Sequence, residues 1–545
     1  MSKQHGLVRG WVLAASICFV STIAPAQQPS AAVAPRTQST PLAGKITPEQ
    51  ARQLFGLVDE LIRFSSDETG LPIKSTVKRQ ITSRAAVEGY LKEKFEEDES
   101  AKRMQRGEIV LKKFGLLDRD FALKPFLLAL LKEQIEAYYD SKTKTVYMLD
   151  WVDVEEQKPV LAHELTHALQ DQHSDLEKWN DQTPDDVSLN SPDDTDHLAK
   201  DEMDTAREAV AEGQATAVMM DYMLKPMGKS LVKDPEVMEF VRQHMAASED
   251  SPVLSRAPLL LSESMLFPYR EGLSFEQDVW MDQGQAAAFA GTLDRPPSSS
   301  WEIINPREYE KRHVPAVPLL PNIHPLVDKL YKPYDIGQVG QLDLHILTEL
   351  FGGDQAAGNL TPAWNGGLYW AGQRLSAKTP VDHPTDKDPS VGTPGEQANT
   401  NSIVLFYLSV WKNTASAEAF ARIYADELGR KYSSVKELRP ADIPSGKSDD
   451  LEQVYSTSEG PVVITIRGKM VFVAESFPLD LARKLTALIL DAQGTGELKM
   501  AETIQTSVPT LDSGPRQSLA GNFIRFFSNC GVMKAAVDAA MQAGK

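Results

Sequence analysis

Apolar residues in the first part of the chain recur at helical spacing. A helix is expected to begin near Thr47, since Thr47-Pro48-Glu49 combines a cap residue, a first-turn proline and an early acidic residue. Helical patterning continues to about Lys132 and returns over residues 205–224. These stretches predict a mainly helical body. The apolar positions that define its first helix are Leu54, Leu57, Val58, Leu61 and Ile62.

Two other stretches have the pattern of strands. Between residues 137 and 149, Tyr, Val and Leu flank a polar run from Asp140 to Lys144, as in a β-hairpin. Beyond residue 402 the pattern predicts an α+β module of about 100 residues. Its expected elements are a strand over 403–411, a helix over 416–431, a strand pair over 462–467 and 470–477 that turns at Gly468, and a helix over 479–491.

Shifts in composition indicate where these parts begin and end. The Ala-, Pro- and Gln-rich residues 27–45 are expected to form a disordered tether. Residues 174–204, dense in Asp, Pro and Ser, are expected to form an exposed acidic loop. The fold class is therefore predicted to be α+β. The domains in order are a mainly helical domain with a small mixed sheet over 46–375, a linker over 376–401, the α+β module over 402–492 and a C-terminal extension over 493–545.

The first 26 residues have the features of a secretory signal peptide. Lys3 and Arg9 form a basic start, residues 11–23 an apolar stretch, and Ala24-Pro25-Ala26 a small-residue cleavage site. The apolar stretch is too short to span a bilayer comfortably. We therefore expect cleavage after Ala26 and export to the periplasm or the medium, without stable membrane insertion afterwards.

Charge and cysteine content exclude several classes of function. The chain has 57 Lys and Arg against 76 Asp and Glu, which gives a formal charge of −19. Nucleic-acid binding is disfavoured, because affinity for phosphate backbones comes from clustered basic residues. Adhesion to anionic membranes is disfavoured for the same reason. The chain contains two cysteines, and Cys18 would leave with the signal peptide, so a disulfide scaffold is excluded.

The strongest chemical signal is a His-Glu-x-x-His motif over residues 163–167. His163 and His167 are four positions apart, about 40° around a helix axis, so both imidazoles can reach one tetrahedral ion. Glu164 projects beside them, where it can contact a metal-bound water. The alternative is that the two histidines lie on an ordinary helix and bind no metal. They would then have to be solvated, because burying these side chains without a metal or hydrogen bonds costs several kcal/mol. The helix is expected to be opened by Pro159, with Leu161, Leu165, Ala168 and Leu169 on its buried stripe.

A catalytic zinc ion needs a third protein ligand and one open position. His173 follows His167 at the spacing found in metzincins, and Met220-Asp221-Tyr222 loosely matches their Met-turn. However, Gln170 stands where metzincins have a helix-breaking glycine, and on a continuing helix His173 would point about 240° away from His167. The other candidates are Glu208 and Glu212, which share one face of the helix predicted over 205–224.

The downstream run Glu212-Gly213-Gln214-Ala215 after the His-Glu-x-x-His motif resembles the gluzincins. The chain is similar in particular to bacterial secreted proteins of the peptidase-MA-like kind, with a tyrosine-rich hairpin over 136–149 and an Ala-His-Glu-Leu-Thr-His-Ala helix. The motif match covers roughly residues 136–220. The resemblance implies a zincin-like metallopeptidase domain in which His163, His167 and Glu212 hold one Zn²⁺. A thermolysin-like template would instead make Glu208 the ligand.

The resemblance also implies a reaction, the hydrolysis of a peptide or protein substrate. Glu164 would take the proton of the attacking water and deliver it to the leaving amine. Gly213 is expected to let its helix approach the histidine-bearing helix closely, and the hairpin to offer an edge strand to an extended substrate. The sequence does not choose the residue that would stabilise the oxyanion. Its candidates are Tyr222, Tyr269, Arg270, His313 and His324.

Two other functions stay open on the sequence. The chain could be a catalytically inactive, zincin-like secreted protein that binds or assembles with others, or a zinc hydrolase of a non-peptide amide or ester. Other hydrolase and phosphate-binding motifs are missing, because the sequence has neither a Gly-x-Ser-x-Gly elbow nor a glycine-rich phosphate loop with lysine. Cys530 has no nearby histidine in sequence that would mark it as a nucleophile.

Overall fold

The computed structural model describes residues 46–97, 99–180, 190–234, 251–313, 316–375, 399–438, 450–494, 519–528 and 534. The predicted signal peptide, the tether, Cys18 and Cys530 lie outside these residues, as does most of the predicted linker. The described part has the predicted α+β class, and none of its helices is long and apolar enough to cross a membrane. The helices are α1 Pro48–Thr69, α2 Arg84–Glu97, α3 Glu99–Phe114, α4 Leu123–Gln134, α5 Val154–Ser174, α6 Leu176–Trp179, α7 Ser191–Lys200, α8 Met203–Leu224, α9 Leu259–Phe267, α10 Leu273–Gln283, α11 Thr292–Asp294, α12 Ser300–Ile304, α13 Pro306–Glu310, α14 His324–Val327, α15 Gln341–Leu360, α16 Thr414–Lys431, α17 Leu479–Ala492 and α18 Gly521–Ser528.

The predicted hairpin belongs to a small mixed sheet. Its central strand pairs in parallel with the first strand and antiparallel with the second, which confirms the hairpin and leaves a three-residue edge strand. The order in the sheet is β1-β3-β2. The strands are β1 Lys78–Thr82, β2 Tyr138–Asp140 and β3 Thr145–Leu149.

A larger sheet of seven strands follows in the order β4-β5-β6-β10-β9-β8-β7. Strand β6 lies over the residues predicted for it, and β9 and β10 pair as predicted around Gly468, whose φ is +58°. The sheet is antiparallel throughout. The strands are β4 Tyr331–Gln338, β5 Trp364–Arg374, β6 Ile403–Trp411, β7 Val435–Glu437, β8 Leu451–Thr457, β9 Gly460–Arg467 and β10 Met470–Glu475.

The two-residue alternation of these strands divides the core in two. Val471 and Val473 of β10 face a large core that they share with α16 and the helical body. Phe472 and Ala474 face the opposite side, where α17 covers the sheet. β4 and β5 come from the segment before residue 376 and pair into the same sheet as β6, so the sheet of the predicted module extends into the predicted main domain.

Helix α1 begins as its sequence predicts. The Thr47 hydroxyl accepts from the backbone N–H of Gln50, and the Gln50 side chain accepts from the Thr47 N–H, which forms a reciprocal capping box. Helix α5 begins earlier than predicted, because Asp153 caps it and Pro159 lies inside the helix rather than at its start. The predicted buried stripe of α5 is confirmed.

The prediction of an exposed loop over residues 174–204 is wrong where the structure describes that segment. Helices α6 and α7 occupy much of it, and Asp194 and Asp201 are buried. The Asp194 carboxylate lies 3.1 Å from Nε2 of His324, and Asp201 accepts from the backbone N–H of Gln338 at 2.6 Å. A count of acidic residues cannot reveal such partners, because each partner lies more than 100 residues away in the sequence.

Candidate metal centre

Two buried helices bring the predicted ligands together. α5 carries His163 and His167, α8 carries Glu212, and the two helices pack against each other. The Nε2 atoms of the two histidines lie 3.0 Å apart. Oε2 of Glu212 lies 3.1 Å from Nε2 of His163 and 3.5 Å from Nε2 of His167. Within the described part of the chain, this is the group of three whose ligand atoms converge on one point.

The triangle of these three atoms, the metal triangle, fits zinc in size and chemistry. Tetrahedral zinc with nitrogen and oxygen ligands at about 2.0–2.1 Å separates its ligand atoms by about 3.3 Å. The observed sides are 3.0, 3.1 and 3.5 Å. Two imidazoles with one carboxylate also form a donor set of catalytic zinc sites that keep a fourth position open. The residues present therefore fit one zinc ion.

The charges in the metal triangle favour a cation at its centre. Burial alone would raise the pKa of Glu212, but the two histidines outweigh it and lower that pKa to about 2. Burial alone would lower the pKa of His167, but the Glu212 carboxylate outweighs it and raises that pKa to about 9. A buried carboxylate that stays ionised needs positive charge beside it, which either an imidazolium or a metal ion supplies.

Glu164 lies beside the metal triangle and is fully buried. Its charge contributes to the raised pKa of His167 and also acts on Tyr269, so the carboxylate lies near both side chains. A carboxylate beside a zinc site can serve as the general base for the attacking water. The structure thus brings Glu164 into the same site as the three predicted ligands.

Tyr269 completes the site from a third element. It lies in the π-helical turn Pro268–Gly272 between α9 and α10, and its ring centroid is 6.2 Å from that of His163. Burial, together with the charges of Glu212 and Glu164, raises the pKa of Tyr269 far above its ordinary value. The hydroxyl therefore stays protonated and can donate a hydrogen bond.

The other four oxyanion candidates lie in contacts of their own. One of them contacts an aromatic ring, and the remaining three contact carboxylates. The pairs are Tyr222 with Phe64, Arg270 with Glu263 and Glu271, His313 with Glu308, and His324 with Asp194 and Asp328.

Gly213 permits a close backbone contact, but not with the helix that the sequence suggested. A Cβ atom on Gly213 would lie 2.3 Å from the carbonyl carbon of Gly272, and a Cβ on Gly272 would lie 2.1 Å from the carbonyl oxygen of Ala209. The expectation that Gly213 lets α8 approach the histidine-bearing helix is therefore wrong, because Gly213 contacts the π-helical turn instead. The turn that Gly213 meets is the one that carries Tyr269.

The two alternative ligands lie outside the metal triangle. Glu208 is buried one turn before Glu212 and accepts from the side-chain N–H of Asn180 at 2.9 Å. Burial, with the nearby charge of Glu212, raises the pKa of Glu208 to about 8. Near the C-terminal end of α5, Nε2 of His173 lies 2.9 Å from the Asp294 carboxylate.

In the sequence, Gln170 stands out only as a departure from the metzincin pattern. In the structure Oε1 of Gln170 lies 2.8 Å from Nδ1 of His167. The signal that would have found it is its position, three residues after His167 on the same helix, where side chains are neighbours. A metal-binding histidine usually has its second ring nitrogen held by such a partner.

Comparisons of the chain with models of known families, with curated proteins and with solved structures found no match.

Proposed function

We propose that the protein is an exported zinc-dependent hydrolase that cleaves peptide bonds. The observation that carries this proposal is the convergence of His163, His167 and Glu212 on one point, with Glu164 buried beside it. The peptide as substrate rests on the resemblance to gluzincins. Export rests on the sequence of residues 1–26. The proposed reaction involves neither nucleic acid nor a membrane as partner.

In this mechanism zinc, when bound, supplies Lewis acidity that activates water and polarises the substrate carbonyl. Glu164 accepts the proton of the attacking water on its carboxylate and transfers it to the leaving nitrogen. Tyr269 donates its hydroxyl hydrogen to the oxygen on which negative charge develops. The raised pKa of Tyr269 suits this role, because the hydroxyl has to remain a donor throughout.

The burial of the site favours a second candidate, the hydrolysis of a small amide or ester. His163, Glu164, Glu212 and Tyr269 are buried, and the side chain of His167, 13% exposed, is the most exposed of the metal triangle. Substrate must therefore approach from the side of His167. A small substrate needs less opening there than an extended peptide does.

The test combines metal analysis with a cleavage assay. Purified full-length protein is analysed for bound metal and then incubated with a broad peptide library and a panel of small amides and esters. We expect one zinc ion per chain and hydrolysis that Glu164→Gln abolishes while zinc stays bound. Glu156→Gln, which changes an exposed carboxylate in the first turns of the same helix, is the matched control and should be fully active.

Each outcome decides between the candidates. Cleavage of peptides supports the peptidase, whereas cleavage confined to the small panel supports the second candidate. Full activity of Glu164→Gln contradicts the mechanism. Bound zinc without turnover in either assay favours the inactive zincin-like binding protein that the sequence left open.

A further inference from the structure

A chain of buried amide groups, the amide relay, runs from His167 away from the metal triangle. Oε1 of Gln170 lies 2.8 Å from Nδ1 of His167. Nε2 of Gln170 donates to the carbonyl of Ala211 and to Oε1 of Gln214, both at 2.9 Å. Nε2 of Gln214 lies 3.0 Å from each of the two carbonyl oxygens of residues 288–289. The amide relay therefore connects a ligand histidine to fixed backbone.

The backbone carbonyls set the direction of every hydrogen bond in the amide relay. A carbonyl oxygen only accepts, so the Gln214 atom that faces residues 288–289 must be its NH₂ group. The oxygen of Gln214 then faces Gln170, whose NH₂ group donates to it and to Ala211. The oxygen of Gln170 is left to face Nδ1 of His167. Because that oxygen can only accept, Nδ1 must carry a hydrogen.

We propose that Gln170 and Gln214 are positioning residues that hold His167 in the form whose Nε2 binds metal. With the hydrogen on Nδ1, a neutral imidazole has its lone pair on Nε2, the atom that points into the metal triangle. The inference rests on the metal site of the proposed function but not on its reaction. It adds two residues to that site, one on each ligand-bearing helix.

The position of the amide relay explains why it can act as a rigid support. Gln170 and Gln214 are both fully buried, and Thr292 of α11 also accepts from Nε2 of Gln214, at 2.8 Å. The relay acts on one of the two histidines. Nδ1 of His163 is buried and has no hydrogen-bond partner among the described residues.

The experiment measures which ring nitrogen of His167 bears the hydrogen, together with the affinity for zinc. The first readout is a long-range ¹H–¹⁵N spectrum of zinc-free protein labelled at histidine, recorded at a pH at which the imidazole is neutral, and the second is competition with a chelator for zinc. We expect the wild type to carry its hydrogen on Nδ1 before any metal is bound. Gln170→Met, similar in shape but without the hydrogen bonds, should lose about 10–100-fold in zinc affinity and show a mixture of forms.

Two further variants separate positioning from general loss of structure. Gln170→Glu retains an oxygen that accepts from Nδ1, so it should keep the Nδ1–H form, although its second oxygen faces the acceptors of Ala211 and Gln214 and should lower stability. Gln277→Met is the matched control, because Gln277 is a buried glutamine that donates to the carbonyl of Leu231 and not to the amide relay. It should leave both readouts unchanged.

The inference is overturned if wild-type His167 carries its hydrogen on Nε2, a measurement that needs no variant. It is also overturned if Gln170→Met binds zinc as tightly as the wild type in the same form. A protein that binds zinc in the expected form but hydrolyses nothing contradicts the proposed function and leaves the amide relay supported. A wild type that binds no zinc contradicts both.

Discussion

Two buried polar clusters in this protein differ in the side chains that neutralise their carboxylates. In the metal triangle the ionised Glu212 has the two histidines as its ion-pair partners. In the second cluster, between α3, α16 and the large sheet, each carboxylate is paired with a lysine of the chain. Lys431 pairs with Glu475, and Lys113 pairs with Glu459 at 2.7 Å.

The second cluster supplies its own cations, and the hydroxyl groups of Tyr424 and Tyr432 also donate to Glu475. Burial lowers the pKa of Lys431, although Glu475 counteracts it, and the value is about 8. No ligand is needed to balance such a network. A buried carboxylate thus suggests a metal site when its partners are imidazoles, which bind metal in their neutral form. It suggests a structural role when its partners are lysines.

Removing one histidine should affect metal binding most strongly. We expect His163→Ala to lower zinc affinity by more than about 100-fold, beyond the range for loss of a hydrogen-bonded support, because a direct ligand is lost. Chelator competition measures it. His173→Ala on the same helix is the control and should bind zinc as the wild type does. A larger loss in His173→Ala than in His163→Ala would reverse the choice of ligands.

Removing one lysine of the second cluster should instead affect stability. Lys431→Met leaves the buried Glu475 without its direct cation, and we expect the free energy of unfolding to fall by about 3–5 kcal/mol. Urea denaturation measures it, and zinc affinity should stay within about twofold. The double variant Lys431→Met with Glu475→Gln should recover much of the loss. A drop in zinc affinity in place of a drop in stability would contradict a structural role for the second cluster.

A third arrangement is found at the buried Glu202, where the charges that act on its carboxylate are those of two other carboxylates, Asp343 and Asp201. Burial, with the charges of Asp343 and Asp201, raises the pKa of Glu202 to about 8, and the Ser300 hydroxyl donates to it. The folded protein thus keeps a proton that the unfolded chain releases near pH 4.5. Stability from this group is present at low pH and is lost as pH rises through about 8.

We therefore expect the free energy of unfolding to fall by about 2–3 kcal/mol between pH 6 and pH 9. Glu202→Gln, which keeps the shape and stays neutral, should flatten this dependence and be the more stable protein at pH 9. Denaturation at both pH values measures it. An unchanged pH dependence in Glu202→Gln would show that the proton resides elsewhere, with Asp343 the next residue to replace.

The sequence predicted the parts of this protein that depend on local spacing. His163 and His167 had to share a helix face, and the strand over 403–411 followed from its continuous apolar run. The choice of Glu212 over Glu208 depends on how α8 is rotated against α5, which long-range packing decides. Tyr269 joins the site from more than 100 residues away, and local spacing carries no information about that contact.

Gly213 of α8 meets Gly272 in the turn that carries Tyr269. Gly213→Ala would place a methyl group 2.3 Å from the backbone of Gly272, so α8 and the π-helical turn must separate. We expect a loss of about 1–3 kcal/mol in stability, as for overpacked cores, and a fall in turnover with zinc still bound.

Gly56→Ala is the matched control, because a Cβ at Gly56 of α1 meets nothing within 4 Å. That substitution should stabilise the protein by up to about 1 kcal/mol, since alanine is the better helix former. Equal effects of the two substitutions would mean that the contact with Gly272 does not hold Tyr269 in place.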